Sequence, residues 1–179
     1  MEDVDDAYLV AQAKEGYLDA YELLVRRHAA MAYRVALRLT GDHHDAQDVV
    51  QEALVAAWQK LAGFNANSSF STWLYRIVTR RAINKVTRSR VAGSLDLLGE
   101  IAYPGSGPET QAERHQTADA LTRALAALPL PQRVVIVLHH LEGLSYGEVA
   151  SVTGSTVPAV RSQLFRARRA LAAELEEWR

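Results

Sequence analysis

Residues 145–169 limit the possible folds more than any other part of this 179-residue chain. Ser145 and Glu148 have the spacing of a capping box, in which each side chain bonds the other residue's backbone N–H at a helix start. Gly154 suits a tight turn, and Pro158 suits the first turn of a following helix, where no intrahelical donor is lost. The pattern predicts two helices joined by a tight turn, as in a helix-turn-helix.

The second helix of this unit has a basic surface that suits the major groove of duplex DNA. Residues near the start of such a helix usually reach bases, and other contacts go to phosphates. We predict base contacts from Ala159, Arg161, Ser162 and Gln163. We predict phosphate contacts from Arg166, Arg168 and Arg169. The alternative is a small helical hairpin with a solvated basic face.

The first half of the chain has the apolar spacing of amphipathic helices. Asp19 is placed to cap a helix that ends at Gly41, and the next helix begins at Asp42 and ends at Gly63. The polar face of this second helix carries Asp45, Asp48, Gln51 and Glu52. Such a face is most often simply solvated. Paired carboxylates also bind metals, and His43 and His44 are nearby. A histidine pair at a helix start is more often a surface feature, and a metal site needs further converging ligands, so we predict no metal site.

The segment from Phe64 to Arg90 combines aromatic and basic residues and contains no acid. Aromatic faces stack on exposed bases and cations hold phosphates, so this composition suits a single strand of nucleic acid. We predict a helix that Ser71 or Thr72 caps and that runs to about Arg88. The residues predicted to bind the strand are Phe64, Phe70, Trp73, Arg76, Arg80, Arg81, Asn84 and Arg88. For Trp73, a place in the core is an equally good interpretation.

The whole chain is therefore predicted to be all-α, with two small helical domains. An N-terminal helical bundle spans 1–90, a flexible linker rich in glycine and proline spans 91–117, and a C-terminal helix-turn-helix domain spans 118–179. A short amphipathic segment lies around Leu95 to Ile101 within this linker. No apolar run has the length of a membrane span, and the acidic start is unlike a secretion signal, so we expect a cytoplasmic protein.

These pieces, in this order, resemble bacterial RNA polymerase sigma factors of the extracytoplasmic-function group. The matching segments are Leu-Arg-Leu-Thr-Gly at 37–41, Asp-Ala-Gln-Asp-Val-Val-Gln-Glu-Ala-Leu at 45–54 with Trp58, and the run from Phe70 to Asn84. In the last third they are Leu-Pro-Leu-Pro-Gln-Arg at 128–133, Tyr-Gly-Glu-Val-Ala at 146–150, and Val160 to Arg168.

The resemblance implies a promoter-specificity subunit that binds core RNA polymerase and promoter DNA, is not an enzyme and needs no cofactor. An anti-sigma protein would hold it inactive. Asp45, Asp48, Gln51 and Glu52 would contact the clamp helices of the polymerase's largest subunit. Asn84 with Arg76 and Arg80 would engage the melted −10 strand, and the loop at 64–71 would hold a flipped base. The helix from Pro158 would read the −35 element, where Ala159 and Gln163 replace a threonine and an arginine of the family pattern.

Three other functions remain open at this level. A free-standing helix-turn-helix regulator would bind its operator tightly without polymerase. A helical metal-dependent hydrolase would use Asp45, Asp48 and Glu52. A pure interaction protein, such as a sigma inhibitor, would need none of the arginines at base-reading positions.

Overall fold

A computed structural model describes residues 4–95 and 121–177, and within these ranges the chain is all-α, as predicted. The elements are α1 (Asp6–Lys14), α2 (Leu18–Thr40), α3 (His43–Lys60), a 3-10 turn (Leu61–Gly63), α4 (Phe70–Leu95), α5 (121–127), α6 (Leu130–Ile136), a π-helical turn (Val137–Leu141), α7 (Tyr146–Thr153) and α8 (Val157–Glu177). We call residues 4–95 the N-terminal lobe and residues 121–177 the C-terminal lobe.

The N-terminal lobe is a bundle in which α2, α3 and α4 pack on one another. Each helix contributes a fully buried apolar stripe, represented by Leu39 on α2, Ala53 on α3 and Leu74 on α4. Burying a large apolar side chain contributes about 1.5–3 kcal/mol, so these stripes hold the three helices together. Arg76, Arg80 and Arg88 of α4 are exposed outside this core.

The end of α2 and the start of α3 are seen where the sequence places them. Gly41 ends α2 with φ of 78°, a left-handed backbone that suits glycine, and the Asp42 carboxylate caps α3 by accepting from the Asp45 N–H at 2.8 Å. The prediction for Asp19 is wrong, because it lies in the first turn of α2, and Tyr17 precedes the helix without a side-chain cap.

The start and end of α4 also differ from the prediction. Ser69, rather than Ser71 or Thr72, caps the helix: its hydroxyl accepts from the Thr72 N–H at 3.1 Å. The helix continues past Arg88 to Leu95, so the first residues assigned to the linker are helical. The rest of that predicted linker, with most of its amphipathic segment, lies outside the described residues.

Helix α1 is a feature that the sequence analysis did not predict. Asp5 caps it by accepting from the Ala7 N–H, and its Leu9 and Val10 are buried against the bundle. The Asp6 carboxylate pairs with His28 of α2 at 2.6 Å. The acidic start of the chain is thus partly structural.

The C-terminal lobe contains the predicted helix-turn-helix, with α7 and α8 as its two helices. Both halves of the Ser145–Glu148 capping box are present, and Gly154 makes the turn with φ of 67°. The Thr156 hydroxyl then accepts from the Ala159 N–H at 3.3 Å at the start of α8. Val149 of α7 is fully buried, and α7 packs directly on α8.

The two lobes pack against each other. Helix α7 lies on α4, and the π-helical turn lies on α2. The Arg133 side chain, buried on α6, donates to the Leu39 carbonyl across the lobe boundary at 2.7 Å and to the Ala126 carbonyl within its own lobe at 2.6 Å. This docked arrangement was not predicted from the sequence.

Candidate nucleic-acid and polymerase-binding surfaces

One face of α4 presents the predicted cationic residues together. Arg76, Arg80, Asn84 and Arg88 are all exposed and recur every four residues, one turn of helix apart. They border a groove of about 470 Å³ between α3 and α4 that Trp73, Arg81 and Lys85 also line. The groove is open and polar enough for a phosphate backbone. We call Arg76, Arg80, Asn84 and Arg88 the arginine face.

The aromatic residues before this face do not have free rings. Phe64 and Phe70 are only 6% and 4% exposed, and their centroids lie 6.3 Å apart in an edge-on contact. Both also contact Trp73, at 5.1 Å and 5.7 Å. This corrects the expectation that Phe64 and Phe70 stack on bases, since in this conformation they are core residues. Half-buried Trp73 belongs to the same cluster and reaches the edge of the groove.

The loop between the 3-10 turn and α4 borders an open cleft of about 670 Å³. Ala66 in this loop has φ of 56°, in the left-handed region, and turns the chain back toward α4. The Lys14 ammonium of α1 donates to the Phe64 carbonyl, which attaches the loop to the bundle. Ser68, Ser69 and α1 residues complete the wall of the cleft.

The acidic face of α3 is paired with cations of α4. The Lys85 ammonium lies between two carboxylates, 3.1 Å from Asp45 Oδ1 and 3.0 Å from Asp48 Oδ2. Arg81 Nη1 lies 2.6 Å from Glu52 Oε2. The hydrogen bond from Lys85 lowers the pKa of Asp48, and the hydrogen bonds to Asp48 and Asp45 raise the pKa of Lys85. Gln51 is exposed on the same helix.

A cluster with metal-ligand chemistry does occur on α3. His44, Asp45 and Asp48 each offer a ligand atom, and these atoms lie within 4.8 Å of one another. The Lys85 ammonium already lies between the two carboxylates, however, and Glu52 points to Arg81. Lys85 and Arg81 therefore already pair with the carboxylates that a metal-dependent hydrolase would use.

We expect Lys85→Met to raise the pKa of the Asp48 carboxyl toward its ordinary value, because its hydrogen-bond donor and neighbouring charge are lost. A lowered carboxyl pKa stabilises the fold above the unfolded-state pKa, and this contribution disappears as the pH falls through the folded-state pKa. The variant should therefore be less stable than the unchanged chain near neutral pH. The difference in free energy of unfolding should disappear in acid. NMR titration of Asp48 measures the pKa, with Lys60→Met as control. An unchanged Asp48 titration would contradict the pairing.

The recognition helix α8 exposes most of the residues predicted to read DNA. Arg161, Ser162, Arg166, Arg168 and Arg169 are exposed, Ala159 is exposed at the first turn, and Gln163 is half-buried. The Arg161 guanidinium lies over the Tyr146 ring at 5.6 Å, and Arg168 Nε lies 3.0 Å from His140 Nε2. Burial, with a smaller contribution from Arg168, lowers the pKa of His140, so a neutral ring accepts this bond.

Phe165 is a candidate that the sequence analysis missed. Its side chain is among the most exposed large apolar groups in the described part of the chain, at 62%. The Arg169 guanidinium lies over its ring at 5.9 Å, on the same surface as Ser162. An apolar residue one turn beyond Ser162 breaks the polar pattern expected on this face. That break is the signal from which Phe165 could have been predicted.

The comparisons with known proteins agree with this geometry. Sigma-70 region 2 matches residues 24–91, and Sigma-70, region 4 matches residues 118–171. The chain is 30% identical to the ECF RNA polymerase sigma factor SigW of Bacillus subtilis (strain 168), over 94% of this chain and 95% of that one. It is 32% identical to the ECF RNA polymerase sigma-E factor of Escherichia coli (strain K12), over 95% and 94%.

Solved structures of sigma factors have a similar fold. CnrH, in complex with the cytosolic domain of CnrY, aligns with a TM-score of 0.75 and 31% identity over 96% of this chain and 97% of that chain. The sigma factor RpoE, in complex with the anti-sigma factor NepR from Bartonella quintana, aligns with a TM-score of 0.69 and 25% identity, over 87% and 96%. The family matches and the fold thus define a transcription-initiation protein. The chain belongs to the extracytoplasmic-function sigma factors, the promoter-specificity subunits of RNA polymerase.

Within the described residues, each helix is too short or too polar to cross a lipid bilayer.

Proposed function

We propose that this sigma factor uses α3 to bind core polymerase, α4 to hold the melted −10 strand and α8 to read the −35 element. The observation that carries the proposal is the exposed arginine face of α4, with Asn84 among three arginines on one side of the helix. Cations there hold phosphates, and the Asn84 amide bonds a base edge. The protein is a specificity subunit and performs no catalysis itself.

Melting at this surface proceeds by binding energy. Unstacking one base step costs a few kcal/mol, and contacts to a captured base return about 1–3 kcal/mol each. Because Phe64 and Phe70 are core residues, we assign the stacking to Trp73 and the phosphate contacts to the arginine face. The cleft beside Ala66 and Ser68 is open to solvent and large enough to receive one extruded base.

At the −35 element, α8 lies in the major groove with the face that carries Ser162, Phe165 and Arg169. The Phe165 ring suits the methyl group of thymine, because apolar side chains distinguish that base in the major groove. Arg166 and Arg168 hold phosphates, and Arg169, beside the Phe165 ring, reaches a phosphate at the edge of the groove. Ala159 offers only a methyl group, and half-buried Gln163 offers one amide. We therefore expect these two residues to make fewer hydrogen bonds to bases than arginines at the same positions would.

We also propose an anti-sigma protein as a partner and the cytoplasm as the location. Two aligned relatives, CnrH and RpoE, are seen bound to CnrY and to the anti-sigma factor NepR. Core polymerase and promoter DNA are found in the cytoplasm. The rival hydrolase and the free-standing regulator have no comparable support.

A positive charge added to α3 tests the polymerase contact. Gln51→Arg places a cation beside the carboxylates of α3, and Gln51 is not part of the Lys85 or Arg81 pairs. We expect it to weaken binding to core RNA polymerase at least tenfold, about 1.4 kcal/mol, as for a residue central to an interface. Gel filtration and fluorescence titration with purified core enzyme measure this.

The matched control is Gln12→Arg on α1, which adds the same charge away from α3 and should bind as the unchanged chain does. Equal affinity of Gln51→Arg and Gln12→Arg would contradict the assignment of α3.

A further inference from the structure

A buried glutamate of the C-terminal lobe is held entirely by donors of the N-terminal lobe in the described contacts. The side chain of Glu142 is only 3% exposed, although it lies in the connection between the π-helical turn and α7. Its Oε1 lies 2.5 Å from Arg38 Nη1, and its Oε2 lies 3.2 Å from Arg34 Nη2 and accepts from the Tyr75 hydroxyl at 3.0 Å. Two helices, α2 and α4, thus converge on one carboxylate.

This site is built for an anion. Two guanidinium groups neutralise the carboxylate, and hydrogen bonds to charged groups are stronger than neutral ones. Burial and the neighbouring Glu142 charge raise the pKa of Tyr75, so its hydroxyl keeps the proton that it donates. A buried carboxylate without such partners would be strongly unfavourable. Docking removes the Glu142 carboxylate from water, and Arg34, Arg38 and Tyr75 replace that hydration with ion pairs and a hydrogen bond.

The docked arrangement also brings the two predicted DNA surfaces together. Arg76 of the arginine face donates to the Ser151 hydroxyl of α7 at 2.6 Å. Ile83, on the same helix, shares an apolar cleft of about 260 Å³ with Ala159 and Gln163 at the start of the recognition helix. A DNA strand bound along α4 would compete with the packing of α7 and the start of α8 beside that helix. A duplex bound to α8 would compete with the same packing.

We propose that Arg34, Arg38 and Tyr75 form a carboxylate-binding site whose occupant, Glu142, latches the free chain in a closed state. In this state α7 and the start of α8 pack beside the exposed arginine face and obstruct the approach of DNA. The latch itself does not depend on the proposed function; only its consequence for DNA binding does. Anything that needs the lobes apart, including a polymerase that spaces the two promoter elements, must first displace Glu142.

The latch is tested on the full chain by energy transfer between dyes. Because the chain has no cysteine, Gln59→Cys on α3 and Ala127→Cys on α5 provide two exposed attachment points, one on each lobe. Glu142→Gln keeps the size of the side chain but loses the charge, which weakens bonds to the guanidinium groups. We expect the undocked fraction to rise about tenfold.

Arg38→Met opens the latch from the opposite lobe, and the double variant should be no more open than the more open single variant, since both remove one interaction. Glu22→Gln is the matched control: it removes the same charge from an exposed α2 residue that pairs only within its helix in the described contacts, with Arg26. Circular dichroism confirms that each variant is folded. Unchanged energy transfer in folded Glu142→Gln and Arg38→Met would overturn the latch.

A second measurement separates the latch from its consequence. The apparent affinity of a protein falls with the fraction in its binding-competent state. A labelled oligothymidine strand should therefore bind Glu142→Gln more tightly, by the same factor as the rise in the undocked fraction. If the lobes open and the affinity for this strand stays the same, the masking of the arginine face is wrong and the latch stands.

Discussion

A chain that carries Arg80→Ala and Asn84→Ala is expected to form open promoter complexes about 100-fold less well, while it still binds core polymerase. Both side chains lie exposed on the arginine face, one turn apart, and neither supports the core. Their loss removes a phosphate contact and a base-edge contact, each of about 1–3 kcal/mol. The effect falls on melting because the acidic face of α3 is untouched.

Permanganate reactivity of thymines around the −10 element measures opening, and co-elution with core enzyme measures binding. The control is Arg26→Ala with Gln12→Ala, one arginine and one side-chain amide outside the arginine face, and it should open promoters normally. A double variant of α4 that loses polymerase binding and opening to the same extent would contradict the assignment of the arginine face to DNA.

Phe70→Ala is expected to destabilise the protein by about 3–5 kcal/mol, the range for removing a buried aromatic ring. The Phe70 ring is 4% exposed and packs on Phe64, Trp73 and His28. Natural domains are stable by only about 5–15 kcal/mol. The urea concentration at the midpoint of unfolding should therefore be well below that of the unchanged chain. Urea unfolding followed by circular dichroism measures the change.

Phe165→Ala makes the same chemical change at a ring that is 62% exposed. We expect its free energy of unfolding to stay within about 0.5 kcal/mol of the unchanged chain, as for most surface substitutions. Similar urea curves for Phe70→Ala and the unchanged chain would contradict the core position of Phe70 and restore base stacking as its role.

Much of the fold follows from local signals in the sequence. Helix caps act over three or four residues, so the Asp42 cap and the Ser145–Glu148 capping box could be placed from spacing alone. The left-handed ends at Gly41 and Gly154 follow for the same reason. The prediction for Asp19 was wrong because a good capping residue is equally acceptable in the first turn, and local spacing does not distinguish the two positions.

Contacts between distant segments could not be derived in the same way. Phe64 and Phe70 have the composition of a stacking platform, and only the packing of α1 and α2 around them shows that they are core. The pairing of Lys85 with Asp45 and Asp48 depends on how α3 lies on α4. Nothing in the sequence distinguishes Glu142, since its partners lie in the other lobe.

The candidate site was anticipated in part. The arginine face required only a four-residue period, and the structure leaves it exposed as that period predicts. Phe165 was missed because a recognition helix was expected to read bases through polar groups. The roles of all these residues in DNA and polymerase binding remain predictions that the variants above test.

The most direct test of the central claim is transcription of genomic DNA by purified core polymerase with and without this protein, followed by sequencing of the transcript 5′ ends. A promoter-specificity subunit should produce a set of start sites that is absent without it and shares one −35 and one −10 element. Identical start sites in both reactions would contradict the account.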